Sequence, residues 1–203
     1  MQNEIKIEYF KTPYGELILG SFENKLCLSD WRYRKMRISI DKRINAGLNA
    51  VFIEKETKVI NETKTQLAQY FNGERTEFDI HLLLIGTDFQ KSVWNALQQI
   101  PYGKTDTYLG LSKKLANEKA IRALANANGA NAISIIIPCH RIIGSDGKLV
   151  GYASGLDVKR KLLSLENSLS KNQLSLFENL DPFLIFELIN FRYLSNPDFL
   201  FVI

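Results

Sequence analysis

Cysteine is scarce in this chain: two in 203 residues, which excludes a disulfide-stapled scaffold and a multi-cysteine zinc ribbon. Histidine is equally rare, at two. Long apolar runs are missing. The most apolar stretch, Phe183–Ile203, is interrupted by Glu187, Asn190, Arg192, Asn196, Pro197 and Asp198. A membrane span needs ~20 mostly apolar residues, so no membrane association is expected. The opening MQNEIKIEYF is charged and alternating, without the apolar segment of a secretory signal, so a reducing cytoplasm is the expected location. Neither sign of charge dominates the whole, at a net +4. The distribution is uneven: residues 101–166 carry ten Lys and Arg against five Asp and Glu. A basic stretch favours phosphate partners through counterion release, although solvated lysine faces are common. What is present, 45% hydrophobic residues, suffices for a packed core.

The N-terminal third reads as an antiparallel meander of three strands, Glu4–Phe10, Glu16–Phe22 and Lys25–Trp31. Thr12-Pro13-Tyr14-Gly15 and Glu23-Asn24 supply the turns. Val59, Thr63, Leu67 and Phe71 recur at helical spacing, predicting a helix from about Lys55 to Phe71 that Asn72-Gly73 stops. Ile80–Ile85 suits a buried strand. Thr87 is an expected N-cap for a helix whose apolar face is Phe89, Val93, Leu97 and Ile100. Two short helices follow, Thr107–Ala116 and Lys119–Asn128, an arrangement that resembles a helix-turn-helix but that spacing alone does not separate from ordinary helix packing. Ile133–Ile137 reads as an apolar strand closed by Pro138, Ser145-Asp146-Gly147 as a turn, and Gly151–Gly155 as a flexible loop. Asp157 is placed to cap a last helix ending near Glu166. The tail from Asn167 has seven of the 22 aromatics and reads as an extension without an assigned role.

Cys139 carries the chemical interest. A free cysteine is usually a buried structural thiol. Here a proline precedes it and a histidine and an arginine follow, a context that can lower a thiol's pKa and produce a nucleophilic thiolate. Neighbouring residues do not face each other on a helix or strand, so a water would complete a Cys139–His140 proton path. A carboxylate is then needed to orient the imidazole, and periodicity alone does not choose it.

At Ile137-Pro138-Cys139-His140-Arg141-Ile142 the chain resembles the active-site motif of the alkylguanine-DNA alkyltransferases. The resemblance extends over roughly residues 87–166, through Phe89–Trp94 and Ile100-Pro101-Tyr102-Gly103. It implies an α/β fold: a ribonuclease-H-like N-terminal domain over 1–85 and a mainly helical alkyltransferase domain over 86–168, with 169–203 as an extension. It implies a catalytic set of Cys139, His140, Glu166, Tyr108 and the hinge residue Asn131. DNA contacts are implied for Gln90, Tyr108, Leu109, Asn117, Arg122 and Ser145, with Arg122 as the side chain inserted when a nucleotide is flipped. Pro138, Tyr152, Ala153 and Ser154 are implied to form the substrate pocket. The implied substrate is double-stranded DNA with guanine alkylated at oxygen-6, approached from the minor groove by a monomer. The alkyl group would pass irreversibly to Cys139, once per molecule; oxygen-4 of thymine is a further implied target.

Two departures qualify the resemblance. Ser154 stands where many members have glycine, so a narrower tolerance for large alkyl groups is expected, and Leu109 where some have a polar residue, so a DNA contact there is expected through the backbone or not at all. Zinc binding, seen in some relatives, is not expected here, because Cys27 and His81 alone do not make a site. No cofactor is implied. Two other classes compete: a non-catalytic alkyltransferase-like lesion-binding protein, which would lack the cysteine, and a cysteine hydrolase, for which no signature is present.

Overall fold

The computed structural model describes residues 2–117 and 120–166. Three antiparallel strands, β1 (Asn3–Thr12), β2 (Gly15–Phe22) and β3 (Lys25–Trp31), form the expected meander. Glu23 and Asn24 both take positive φ, 46° and 60°, the geometry that matches a two-residue hairpin to the strands' twist. A helix, α1 (Arg37–Leu48), and a fourth strand, β4 (Ala50–Glu54), were not apparent from periodicity. β4 joins parallel to β1, giving the order β3-β2-β1-β4 and a mixed sheet. The weak signal has a cause: α1 buries only Ile40 and Ile44, and β4 only Ala50.

Helix α2 (Lys58–Phe71) is capped by Thr57, whose hydroxyl accepts from Ile60 N, and begins three residues later than the sequence suggested. It packs on the face of the sheet that presents Leu17, Leu19, Leu26 and Trp31, while α1 covers the opposite face with Ile5, Ile7, Ile18, Cys27 and Leu28. A sheet covered on both faces explains why β2 is buried without a break from Leu17 to Ser21 and why Cys27 is core. Ile80–Ile85 is not a buried strand. It is a half-buried extended segment making one bridge to β3, with Leu26 N donating to His81 O and Leu83 N to Leu26 O, both at 2.8 Å.

Thr87 caps α3 (Asp88–Gln98) and Gln90 reciprocates in a capping box. Two-residue strands β5 (Asp106–Thr107) and β6 (Ile142–Ile143) pair in parallel. Between them lie α4 (Tyr108–Lys114), capped by Thr107, and α5 (Ile121–Gly129). Of the second predicted helix, Lys119 lies outside the described residues. The chain closes on α6 (Leu156–Leu165), whose N-cap is Gly155; Asp157 sits inside the first turn and pairs with Arg160 at 2.8 Å, so it is not the cap. The aromatic tail also lies outside the described residues. Among the described residues no helix is long and apolar enough to cross a membrane.

Candidate active site

Ile133–Ile137 is not a strand, and the reason builds the site. Ile135 adopts φ +74°, a left-handed conformation costly for a β-branched side chain, and Ile137 N closes back on Ile133 O at 2.9 Å. Asn131 holds this turn: its Oδ1 accepts from Ile133 N at 2.9 Å and its Nδ2 donates to Ile137 O at 3.0 Å. The chain leaves the turn at Pro138 and enters a 3₁₀ turn, Cys139–Arg141. At three residues per turn, successive side chains point about 120° apart, so adjacent residues serve different surroundings. Cys139 lines a cavity of about 850 Å³ with Tyr108, Asn131, Tyr152, Ala153 and Ser154. His140 and Arg141 turn instead toward the end of α6.

There Glu166, 1% exposed, is the focus of four hydrogen bonds. His140 Nε2 lies 2.8 Å from its Oε1, and Arg141 grips both oxygens, Nε to Oε2 at 2.8 Å and Nη2 to Oε1 at 3.0 Å. Tyr70, from α2, donates its hydroxyl to Oε1 at 2.7 Å. Arg141 also donates to Ile100 O, and Tyr102 to Leu165 O at 3.1 Å, which fixes the Pro101-Tyr102-Gly103 turn against the end of α6. Gly103 has φ +72°, and a Cβ there would lie 2.9 Å from Glu166 O, so this turn requires glycine on both counts.

The charges follow from these contacts. Burial alone would raise the Glu166 carboxyl, but the His140 and Arg141 hydrogen bonds and the Arg141 charge outweigh it, holding it at about 2. Burial lowers His140, with Glu166 opposing, so the imidazole is neutral at pH 7. A neutral ring beside a carboxylate carries its proton on Nε2, which leaves Nδ1 as a lone pair. That buried Nδ1 has no hydrogen-bond partner among the described residues. Burial likewise raises the Cys139 thiol, while the Asn131 amide and the Arg34 and Lys159 charges pull it down. Arg141 therefore serves the carboxylate, not the thiol, contrary to the sequence reading.

Several contributors were not foreseen. Lys159 is fully buried, its ammonium donating to Ile142 O and, at 2.6 Å, to Val150 O; burial pulls it down to about 8. Its signal was available, because Lys159, Leu162, Leu163 and Glu166 share one helical face. Trp31 Nε1 donates to Tyr152 OH at 2.9 Å across the cavity wall. Arg34 donates to Asn131 O at 2.9 Å and to Gly129 O, and Arg43 to Ala130 O at 2.7 Å, so two N-terminal arginines satisfy the carbonyls at the end of α5. Their positions in the sequence carried no comparable pattern.

Of the remaining sequence candidates only Tyr108 reaches the cavity. Tyr108 opens α4 and its hydroxyl accepts from Asn128 Nδ2 at 3.3 Å. Arg122 is exposed on α5, and Leu109, Asn117 and Ser145 are exposed elsewhere. Gln90 is committed to the α3 cap through its Oε1. Pro138 is buried behind Cys139 and does not line the cavity. No group of three His, Cys, Asp or Glu among the described residues is placed to hold a metal ion.

Comparison with known proteins agrees over both halves of the chain. Residues 88–168 match the family described as 6-O-methylguanine DNA methyltransferase, DNA binding domain, and residues 5–84 its ribonuclease-like domain. A methylated-DNA–protein-cysteine methyltransferase of Methanosarcina acetivorans is 45% identical over 159 residues, 78% of this chain and 96% of that protein. The crystal structure of the Mycobacterium tuberculosis O6-methylguanine methyltransferase superposes with a TM-score of 0.69 at 38% identity, covering 85% of this chain and 99% of that one. A Mycobacterium tuberculosis structure in complex with DNA gives 0.68 at 37% identity, covering 86% and 99%.

Proposed function

We propose a specific chemistry for this chain, which belongs to the 6-O-methylguanine DNA methyltransferase family: it repairs DNA by moving an alkyl group from guanine oxygen-6 to its own Cys139. The observation that carries the residue assignment is the placement of Cys139 on the cavity wall, one residue from a neutral imidazole whose outer nitrogen is locked to a buried carboxylate. Duplex DNA is held by the helix pair α4–α5 approaching the minor groove, and the damaged nucleotide is turned out of the stack into the cavity. Arg122, exposed on α5, fills the space left behind, and Leu109, Asn117 and Ser145 are surface positions suited to backbone contacts. Gln90 has its amide oxygen engaged, so only its NH₂ is free to meet a phosphate.

In the reaction the Cys139 proton passes through one pocket water to His140 Nδ1, and the imidazolium is stabilised by Glu166. The thiolate sulfur attacks the alkyl carbon; the new S–C bond forms as the C–O bond breaks, and its electron pair stays on guanine. Tyr108 offsets the charge developing there by donating its hydroxyl. A thioether does not return to the thiol by hydrolysis at neutral pH, so each molecule reacts once. The roles of Tyr152, Ala153 and Ser154 are to wall the pocket, and Ser154 limits the largest group admitted. The same pocket would accept 4-O-alkylthymine only less snugly, since a pyrimidine fills less of it.

A titration tests this reading. Duplex carrying 6-O-methylguanine is mixed with increasing protein, and the repaired lesion should plateau at one mole per mole of protein. Cys139→Ala should repair none while still binding the duplex. Multiple turnover would contradict self-inactivation, and tight binding without repair by the unmodified chain would establish a lesion-binding module instead.

A further inference from the structure

We propose that Tyr70, on α2 of the N-terminal half, is a positioning residue that sets the strength of the His140–Glu166 pair. Tyr70 is fully buried and lies 96 residues from Glu166 in sequence, yet its hydroxyl donates to Oε1 at 2.7 Å. That same oxygen takes His140 Nε2 at 2.8 Å and Arg141 Nη2 at 3.0 Å, whereas Oε2 takes only Arg141 Nε at 2.8 Å. A carboxylate oxygen offers two lone pairs, so three donors on Oε1 compete, and a stronger hold by one weakens the others. Tyr70 therefore draws charge away from the imidazole bond and keeps His140 from becoming too basic. Its ring is held for the task by edge contacts with Phe71 at 5.5 Å and Tyr102 at 6.1 Å, and by Phe78 at 5.6 Å.

The other charged and titratable groups around the pair push in known directions. Arg141, on the same turn as His140, and Lys159, on α6, both oppose a proton on the ring. Tyr152, from the cavity loop, meets the imidazole edge-on at 6.3 Å, and Cys139 precedes it in the chain. Tyr102 contacts the end of α6 through Leu165 O. None of these shares Oε1 except Arg141, which is anchored twice more, at Oε2 and at Ile100 O. Tyr70 is thus the donor whose removal redistributes the hydrogen bonding on Oε1 toward His140.

The experiment is a titration of the intact protein followed by imidazole nitrogen shifts, with exposed His81 as the reference in the same spectrum. Tyr70→Phe should raise the His140 midpoint by about half a pH unit, roughly a threefold change in its protonation constant. Site-specific 3-fluorotyrosine at position 70, a stronger donor with an unchanged fold, should move the midpoint the other way. A midpoint that stays fixed in both, with only the melting temperature altered, overturns the proposal and leaves Tyr70 a core residue. The kinetic consequence rests on the alkyl-transfer reading: the acid limb of the transfer rate should follow the midpoint. If the nitrogen shifts move and the rate profile does not, Tyr70 still tunes His140, and it is the proton path through His140 that fails.

Discussion

Asn131 fastens three backbone positions with one amide, and its own carbonyl is held by Arg34. Removing that side chain takes the bonded partner from buried Ile133 N, costing about 1–3 kcal/mol, and leaves Ile137 O with Cys139 N at 2.8 Å. Asn131→Ala is therefore expected to lower the melting temperature and to slow transfer further than the stability loss explains, because the turn that presents Cys139 relaxes. Equal transfer by folded variant and parent would show that the turn is held without it. Glu166 behaves differently. Glu166→Gln strands the Arg141 guanidinium in the interior, a loss of roughly 3–5 kcal/mol in unfolding free energy. It should also slow transfer more at neutral than at alkaline pH, since an amide cannot support the imidazolium and hydroxide must then ionise the thiol. A denaturant titration and a rate profile check the two halves of that statement. At this scale the sequence was partly readable. Cys139, His140 and Glu166 could be chosen through a motif, and Lys159 through its helical register with Leu162 and Glu166. Tyr70 and Trp31 could not, because each meets its partner about a hundred residues away in the chain and neither belongs to a local pattern.

Helices with a strong apolar stripe were legible, and α3 is the clearest case, its cap, capping box and buried face all being local in sequence. The hairpin strands were legible for the same reason. α1 was not, since two buried isoleucines in twelve residues leave little periodicity. Ile133–Ile137 misled because β-branched residues signal a strand, whereas here the Asn131 side chain and the bond from Ile137 N to Ile133 O impose a turn. Helix α5 supplies the prediction at this scale. Arg122 stands exposed on it while Leu124, Ala127 and Asn128 face inward. Arg122→Ala should cost on the order of 1–3 kcal/mol in transfer from lesion-bearing duplex and far less with free 6-O-methylguanine base, which needs no flipping. A plain phosphate contact would instead reduce the salt slope by about one and weaken binding to undamaged duplex equally. Rates on both substrates at two salt concentrations separate these outcomes; equal loss on both would give Arg122 a structural role.

Across the whole molecule, the N-terminal half reaches the reactive centre directly: Tyr70 touches Glu166, Trp31 touches Tyr152, and Arg34 and Arg43 hold the end of α5. The described residues, 2–117 and 120–166, accordingly belong to one compact unit. The buried network also fixes how stability responds to acid. His140 is lowered on folding, so its contribution is complete above its unfolded value near 6.5 and declines as pH falls below it. Glu166 is lowered from 4.5 to about 2, so its contribution is present above 4.5 and lost as pH falls toward 2, on the order of 3 kcal/mol. Both signs agree: unfolding free energy should fall in two stages between about pH 6.5 and pH 2, and Glu166→Gln should abolish the lower stage. An unchanged lower stage in that variant would assign acid sensitivity to other carboxylates.

Whether Cys139 itself receives the alkyl group is decided by peptide mapping. The protein is incubated with duplex carrying an isotopically labelled methyl on guanine oxygen-6, digested, and each cysteine peptide is weighed. Cys27 is the internal control, since it is 1% exposed, bonded to Gly20 O, and raised to about 12 by burial. The expected result is the label on the peptide containing Cys139 and none on that containing Cys27. Label on Cys27, or an intact lesion with both cysteine peptides unmodified, would contradict the assignment.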